Sequence, residues 1–186
     1  KARNNTGAWY IWLNNIIDNA QRVLNFDTDA KSNIDSSTYG TPSSTAFSNF
    51  GFGATEEMIA YCFAEKKGYS KISSFVGNGS SDGTFVYLGF RPSFILYKVS
   101  SASSDWYLQD NKRLTFNVNN TRLEANNSDA EVTGAADSID MLSNGFKMRH
   151  TSSSFNNNGA TYIYYAVAEN PFVGNDSGTA VPGTAR

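Results

Sequence analysis

The sequence predicts an all-β protein built from antiparallel β-sandwich or jelly-roll-like modules, and three observations support this fold class. Asn, Ser, Thr and Gly are abundant, and these residues favour turns and polar sheet faces over helix interiors. Short apolar segments with two-residue alternation recur along the chain, and turn residues separate them. The chain also matches itself in order, which indicates one truncated and one complete copy of the same β-rich repeat.

Composition limits the classes of partner. Hydrophobic residues make up 40% of the 186 residues and charged residues only 17%, so the chain can bury a core. The net charge is -2 and no run of Lys or Arg could neutralise successive phosphates, so we expect no nucleic-acid partner. No stretch approaches the roughly 20 apolar residues of a bilayer span. Because the chain begins with Lys1, we expect a processed product or part of a longer protein.

The internal repeat predicts three parts: a truncated first copy in residues 1–67, a complete second copy in residues 68–173, and a linker-like tail in residues 174–186. The first copy has no counterpart of the leading segment Gly68–Ser103. Five matched pairs appear in the same order: Trp9-Tyr10-Ile11 with Trp106-Tyr107-Leu108, Arg22-Val23 with Arg122-Leu123, Asp29-Ala30 with Asp129-Ala130, Ser48-Asn49 and Gly51-Phe52 with Ser143 to Phe146, and Ala60 to Glu65 with Tyr164 to Glu169.

Alternation and turn residues predict the individual strands of the second copy. Asp82-Gly83 and Asn144-Gly145 are short-hairpin signals, and Arg91-Pro92 marks a corner because proline cannot donate to a sheet ladder. The predicted strands are Lys71 to Val76, Phe85 to Phe90, Phe94 to Val99, Asp105 to Gln109, Ser138 to Leu142, Phe146 to His150 and Thr161 to Glu169.

Two segments are apolar on both alternating faces, which a strand covered on both sides requires. We therefore predict central strands at Thr161 to Glu169 and at Met58 to Glu65, with Cys62 as a small buried hydrophobe. Tyr10 to Leu24 has apolar residues at helical spacing, which favours a helix. Its match to a strand-containing segment of the second copy argues against that helix, and both interpretations stay open.

Few residues could support catalysis or metal binding. His150 is the only histidine and Cys62 the only cysteine, so we expect no zinc site and no histidine-based triad, and we expect no cofactor. Asp27, Asp29 and Asp35, or Asp137 and Asp140, lack the spacing of a calcium loop. The Gly77–Gly83 run has no following Lys-Ser/Thr pair or helix, which favours a turn over a phosphate cradle.

Exposed aromatic rings beside polar side chains are typical of carbohydrate recognition, because sugar faces stack on rings. The candidate ligand-binding residues are Trp12, Trp106 and Tyr107, with Arg91 and Asp110 as polar partners. Trp106 recurs at the repeat position of Trp9, which favours core packing for both. Trp12 has no tryptophan counterpart and is the stronger surface candidate.

An ordered series of motifs resembles a known family. The series is Met58 to Glu65, Gly68-Tyr69-Ser70-Lys71, Gly77 to Ser80, Gly89 to Pro92, Ser143 to Lys147 and Ala168 to Phe172. It is similar to the repeated carboxyl-terminal β-sandwich modules of tail-fibre-like and virion-structural proteins of tailed phages, many of them marine. That resemblance implies assembly and attachment on the virion surface, and it implies no catalytic residue.

Three functions follow as hypotheses. The first is a non-enzymatic virion component, such as a fibre, spike or capsid decoration, which contacts other subunits and a host-surface glycan. The second is a cell-surface or extracellular filament subunit that assembles by strand complementation. The third is a glycan depolymerase with paired carboxylates. Under the first two, we expect a homo-oligomer that lies on a virion surface or outside the cell.

Overall fold

The computed structural model describes residues 1–4, 6–17, 20–27, 43, 45–47, 55–134, 138–171, 173–174 and 180–181. In this part of the chain almost all regular structure is β-strand, which confirms the predicted class. The strands, in chain order, are β1 (Tyr10–Ile17), β2 (Ala20–Asn25), β3 (Ser70–Val76), β4 (Phe85–Tyr87), β5 (Pro92–Val99), β6 (Tyr107–Asp110), β7 (Thr121–Glu124), β8 (Val132–Thr133), β9 (Ile139–Leu142), β10 (Gly145–Met148), β11 (Thr161–Ala168), β12 (Val173–Gly174) and β13 (Ala180–Val181). Helix α1 (Ser153–Asn156) follows β10.

Two antiparallel sheets form a sandwich. One has six strands in the order β3-β11-β5-β6-β7-β8, and the other has three in the order β4-β10-β9. Their facing side chains make the main core, where Phe146 of β10 lies edge-on to Phe75 of β3 at 5.8 Å and to Tyr164 of β11 at 5.5 Å. We call the face of the six-stranded sheet that packs on the three-stranded sheet its inner face, and the opposite face its outer face.

Strand β11 is central and covered on both sides, as its sequence predicts. It pairs with β3 along one edge and with β5 along the other. Tyr162, Tyr164 and Ala166 point into the inner core, whereas Ile163 belongs to a second apolar cluster on the outer face. Apolar side chains at consecutive positions are therefore buried against two different layers.

The hairpin of β1 and β2 forms a third layer over the outer face. Leu13 and Leu24 of the hairpin are buried together with Ile163 and Trp106 of the sheet. The indole Nε1 of Trp106 donates to the Asn25 carbonyl at 2.8 Å, which fixes the hairpin to the sheet. Of the two interpretations of Tyr10 to Leu24, the helix is therefore wrong and the strand is correct, because β1 and β2 pair antiparallel with each other.

The strand pair β1–β2 and the strand pair β6–β7 share one backbone arrangement. The carbonyls of Trp9 and Trp106 accept from the N–H groups of Phe26 and Ala125, both at 2.7 Å. The N–H of each tryptophan donates to an Asx side chain, Asp27 in the first pair and Asn126 in the second. The strand register aligns Leu24 with Leu123, one residue away from the sequence match of Val23 with Leu123.

The predicted turns have different outcomes. Asn144-Gly145 does close the β9–β10 hairpin, with Gly145 as the first residue of β10. A side chain at Gly145 would lie 2.1 Å from the Val86 carbonyl oxygen, so strand β4 can approach only a glycine there. Asp82-Gly83 does not close a hairpin, because β3 and β4 belong to different sheets. Arg91-Pro92 is a corner, since Pro92 begins β5 after the chain leaves the three-stranded sheet.

The central strand predicted at Met58 to Glu65 is wrong. Met58 makes an isolated bridge with Ala2, and residues 59–65 belong to no strand. Cys62 is exposed, not buried. Tyr61 and Phe63 are largely exposed, so this segment lies at the surface.

Several predictions fall outside the described residues. These are the repeat anchors at Asp29, Ala30, Ser48, Asn49, Gly51 and Phe52, the carboxylates Asp35 and Asp137, and most of the tail. The described part of the tail consists of the paired two-residue strands β12 and β13. Within the described residues, no helix is long and apolar enough to cross a membrane.

Candidate functional site

Three aromatic rings, Phe63, Tyr165 and Phe94, form a partly exposed row on the outer face, and a fourth aromatic residue, Tyr61, precedes Phe63 by two positions. Phe63 lies 5.3 Å from Tyr165 of β11, whose ring meets Phe94 of β5 edge-on at 5.7 Å. Tyr61, two residues before Phe63, stacks on Trp9 at 5.9 Å. The exposed fractions of Tyr61 and Phe63 are 69% and 65%, whereas Phe94 and Tyr165 are half-buried. We call Tyr61, Phe63, Phe94 and Tyr165 the outer aromatic patch.

The strand register explains why these rings converge. Leu96 is the cross-strand partner of Tyr165, and Phe94 is the partner of Val167, so Phe94 and Tyr165 are diagonal neighbours on one face. The hairpin β1–β2 covers this face at Ile163 and Leu96. Tyr165 is partly covered, and this burial raises the pKa of its hydroxyl. The row therefore combines a fixed half supplied by the sheet with an exposed half supplied by residues 60–65.

A charged network borders the row. Glu169 follows β11 and binds two cations, with Arg91 Nε at 3.0 Å and Lys112 Nζ at 3.1 Å. The backbone N–H of Glu169 also donates to the Arg91 carbonyl, so the end of β11 and the start of β5 are held together. Exposed ion pairs of this kind contribute at most about 1 kcal/mol each to stability.

Asp110 extends the same charged border. It is the direct cross-strand partner of Phe94, which places its carboxylate beside the aromatic row. Its side chain accepts from the backbone N–H groups of Lys112 and Arg113, and Arg113 Nε lies 3.2 Å from its second oxygen. The row thus ends at a rim of carboxylate and guanidinium groups, which are the hydrogen-bonding partners that sugar hydroxyls or polar protein groups require.

The structure brings together only two of the five predicted ligand-binding residues. Arg91 and Asp110 lie on the rim just described. Trp12 is half-buried on the hairpin and pairs across from Val23, away from the rim. Trp106 and Tyr107 are buried, and their side chains point to opposite faces of the six-stranded sheet. Neither presents a ring face to solvent, so neither belongs to the candidate site.

The aromatic members of the site were missed from the sequence. Residues 58–65 were assigned to a covered strand, which hid the exposure of Tyr61 and Phe63. The sequence carried no local signal for their exposure, because the matching residues of β11 show similar alternation and lie in a strand that is paired on both edges. Phe94 and Tyr165 carried no signal of their own, because both lie in regular alternating strands.

A separate surface depression lies away from the rings of the outer aromatic patch, none of which lines it. It is an open depression of about 420 Å³ lined by Ser81, Asp82, Val118, Ser138 and Arg149. Asp82 is exposed and its carboxylate meets Lys147 at 2.5 Å, and this hydrogen bond lowers the pKa of Asp82. The two charged residues that line the depression, Asp82 and Arg149, already form ion pairs, so neither charge is left over to bind a ligand. Among the described residues, no three His, Cys, Asp or Glu side chains are arranged to hold a metal ion.

His150 has a local structural role. Its Nδ1 accepts a hydrogen bond from the backbone N–H of Ser152 at 2.8 Å. Ser152 caps helix α1 and accepts from the N–H of Ser154. The histidine therefore orients the entry to the helix.

Comparisons with known proteins give one result. No curated protein and no solved structure matches this chain. The model of one family does match, over residues 1–171, which is most of the chain and includes both sheets, the hairpin β1–β2 and the outer aromatic patch. The chain therefore belongs to the family named "Domain of unknown function (DUF7483)".

Proposed function

We propose that this chain is a structural module of a phage virion, such as a fibre, spike or capsid-decorating protein, which works by contact with neighbouring subunits. The observation that carries the proposal is the outer aromatic patch. Phe63 is about two thirds exposed and contacts Tyr165, whose ring meets Phe94, and Tyr61 two residues earlier is exposed to a similar extent. Contiguous exposed apolar side chains mark interaction sites, and aromatic residues are enriched at protein interfaces.

The six-stranded sheet that carries the patch is rigid, which favours binding to a neighbouring subunit. Phe94 and Tyr165 lie on the neighbouring strands β5 and β11, each of which is paired on both edges, and this pairing fixes their positions. A ring held by a rigid sheet loses little conformational entropy on binding. The resemblance of the motif series to virion-structural modules supports the phage setting, and a virion-surface or extracellular location follows from it.

Purified particles provide the test. A phage whose genome encodes this chain should contain it in intact, density-banded virions at a copy number comparable to other structural proteins, as quantified by mass spectrometry. Labelling with an antibody against the chain should decorate a defined part of the particle in electron micrographs. Absence of the chain from washed particles would refute the virion assignment.

Attachment to a host-surface glycan is a second candidate function, and the rim favours it. Stacking rings next to Arg91, Asp110 and Glu169 combine an apolar platform with hydrogen-bonding groups, as sugar-binding sites do. The same feature leaves cleavage by paired carboxylates as a remaining alternative, which a reducing-end assay on host polysaccharide would detect.

Two exposed phenylalanines allow a matched glycan experiment. Phe63 lies in the patch, whereas Phe116 is 82% exposed and directly precedes Asn117, whose side chain bonds to the backbone of Met141 in the three-stranded sheet. Phe63→Ala should reduce retention on host cells by about tenfold, the loss expected for one stacking contact of about 1.4 kcal/mol. Phe116→Ala should retain parental binding. Equal retention by both variants would exclude the patch as a glycan site, and a loss with Trp12→Ala alone would move the site to the hairpin.

A further inference from the structure

Strand β9 lies at one end of the three-stranded sheet, with β10 on one side, so its other edge faces outward. Arg149 N–H donates to the Ser138 carbonyl at 2.9 Å, and the direction of the backbone groups alternates along an antiparallel strand. Ile139 and Met141 therefore direct their N–H and C=O groups away from β10. These four groups are the ones that a further β-strand could use for pairing.

Residues 117–119 of the same chain bind all four groups. Asn119 exchanges two backbone hydrogen bonds with Ile139, both at 2.8 Å. At Met141 a side chain takes the place of a strand, because Asn117 Oδ1 accepts from the Met141 N–H at 2.9 Å and Asn117 Nδ2 donates to the Met141 carbonyl at 3.2 Å. The outward edge of β9 is thus closed without a further strand.

An asparagine suits this position because its amide carries both a donor and an acceptor, as a peptide group does. Asn117 is exposed, so its side chain closes the edge and adds little to the core. Phe116 and Val118 on either side of it have exposed fractions of 82% and 45%. Loss of the Asn117 contacts would therefore leave unpaired backbone groups beside two exposed apolar side chains, and such an edge is a template for strand pairing.

Other edges of the sandwich are also bound by groups of the same chain. At one end of β3, Lys66 and Ser70 exchange backbone hydrogen bonds at 3.0 and 2.9 Å. At the other end, the Thr84 hydroxyl donates to the Val76 carbonyl at 2.8 Å. Lys71 Nζ donates to the carbonyl of the last residue of β4 at 2.9 Å. Limited access to edge strands is therefore a property of both sheets, and β9 is the edge at which a single side chain provides it.

We propose that Asn117 is an edge cap, which prevents β9 of one copy of this chain from pairing with β9 of a second copy. Without the cap, the two identical strands would pair antiparallel across a twofold axis and join their sheets. With the cap in place, contact between copies is left to the faces of the sandwich, including the outer aromatic patch. This inference goes beyond the proposed function, because it identifies a surface that the fold withholds from contact.

Sedimentation velocity of the full chain under reducing conditions, over a hundredfold range of concentration, tests the edge cap. Asn117→Ala should associate at concentrations at least about tenfold lower than the parent does. Asn158→Ala is the matched control, because Asn158 is an exposed asparagine in the turn before β11, and this variant should sediment like the parent. An Asn117→Ala chain that is folded but sediments like the parent would overturn the proposal.

The variant Asn117→Lys separates association from stability. It removes the acceptor of the Met141 N–H, as Asn117→Ala does, so the thermal melts of both variants should fall. A charged lysine at a strand edge opposes pairing, so Asn117→Lys should remain as dispersed as the parent. Equal association of the lysine and alanine variants would mean that general destabilisation drives association, and the edge cap would be refuted.

Amide hydrogen exchange followed by NMR gives a measurement on the parent chain, which does not require any variant to fold. The Met141 amide should be protected, because its acceptor is the Asn117 side chain. In dilute Asn117→Ala its exchange should be at least about tenfold faster while that of Ile139 is unchanged, and protection should return where the variant associates. Free exchange of the Met141 amide in the parent would contradict the edge cap. Absence of the chain from virions would sink the proposed function and leave these results unaffected.

Discussion

Residues 59–65 and 163–169 have similar sequences, but the first segment is exposed at the surface and the second lies in a sheet. Ile163 is 3% exposed in the centre of a sheet, whereas Ile59 is 39% exposed. The β11 copy has a hydrogen-bonded neighbour on each side, and the other copy has none between Ile59 and Lys66 among the described residues. The difference teaches that alternation specifies a capacity to form a strand, while distant segments decide whether that strand forms.

In the two tryptophan-containing strand pairs, by contrast, similar sequences form the same local structure. Trp9 and Trp106 keep the same carbonyl hydrogen bond and the same Asx side-chain contact. Every group in each arrangement lies within about 20 residues along the chain, so each pair carries its own partners. The side chains still differ in burial, because the hairpin β1–β2 covers Trp106, whereas the ring of Trp9 stacks on the exposed Tyr61 and lies beside Lys1.

The largest expected effect comes from a charge placed at matching positions of β11 and of residues 59–65. Ala166 is fully buried between the sheets, and Cys62 is its exposed counterpart. Ala166→Asp should destabilise the protein by more than about 4 kcal/mol, because a carboxylate would be buried without a partner. Cys62→Asp should change the free energy of unfolding by less than about 0.5 kcal/mol. Urea denaturation measures both values, and similar losses would mean that the two segments share one environment.

Removal of the two tryptophans comes next in size. Trp106→Ala should cost about 3 to 5 kcal/mol, since it leaves a cavity between hairpin and sheet and frees the Asn25 carbonyl. Trp9→Ala should cost about 1 kcal/mol, because its ring is only partly covered and mainly loses the stack on Tyr61. Thermal melts followed by near-ultraviolet circular dichroism report both. A larger loss at Trp9 would contradict the assignment of Trp106 to the shared core.

Alkaline pH should lower the stability of the protein through a tyrosine of β11, and not through the matching residues 59–65. Burial raises the pKa of the Tyr164 hydroxyl from 10 to about 12. The folded state therefore favours the neutral phenol, whose contribution is complete below pH 10 and is lost as pH rises towards 12. The loss is at most about 2.7 kcal/mol and is reduced by solvent near the hydroxyl.

The variant Tyr164→Phe checks that sign. Its free energy of unfolding, measured by urea titration at pH 8, 10 and 11.5, should fall less steeply between the last two points than that of the parent. Tyr61→Phe is the control in the equivalent aromatic segment and should follow the parental profile. Parallel slopes for the parent and Tyr164→Phe would show that the buried hydroxyl does not contribute.

The smallest expected effect lies in the shared turn. Asn126→Ala should cost about 1 to 2 kcal/mol, because the Trp106 N–H would lose a half-buried acceptor at 2.7 Å. Asp27→Ala should cost about half as much, since the corresponding bond to Trp9 is exposed and 3.1 Å long. Equilibrium urea unfolding resolves the pair. A greater cost at Asp27 would argue against similar roles for the two side chains.

The strands after residue 68 could be predicted because each carries its own alternation and its own turn residues. β11 was correct to within one residue, and Asn144-Gly145 identified a hairpin. β7 and β8 were missed, since Thr121–Glu124 and Val132–Thr133 are short and polar. β1 was ambiguous because its apolar residues satisfy helical spacing, and only pairing with β2 decides the outcome.

The candidate site was less accessible from sequence. Arg91 and Asp110 were selected as polar partners, and both lie on the rim of the outer aromatic patch. The rings beside them were not selected, because no local pattern distinguishes the exposed Tyr61 and Phe63 from the similar sequence of β11. Trp106 and Tyr107 were selected as rings, yet consecutive residues of a strand point to opposite faces, and here both faces are covered.

The bond between Trp106 and the Asn25 carbonyl has a consequence for how such proteins can vary. A chain shortened to residues 68–173 would keep the sandwich interior but would expose Ile163, Leu96 and the indole ring to water. The amino-terminal hairpin therefore serves as a lid for the sheet that follows it. Insertion or exchange of modules should be tolerated best where the junction keeps the covering hairpin in the same chain as its sheet. A junction at residue 67 would separate the hairpin β1–β2 from the six-stranded sheet.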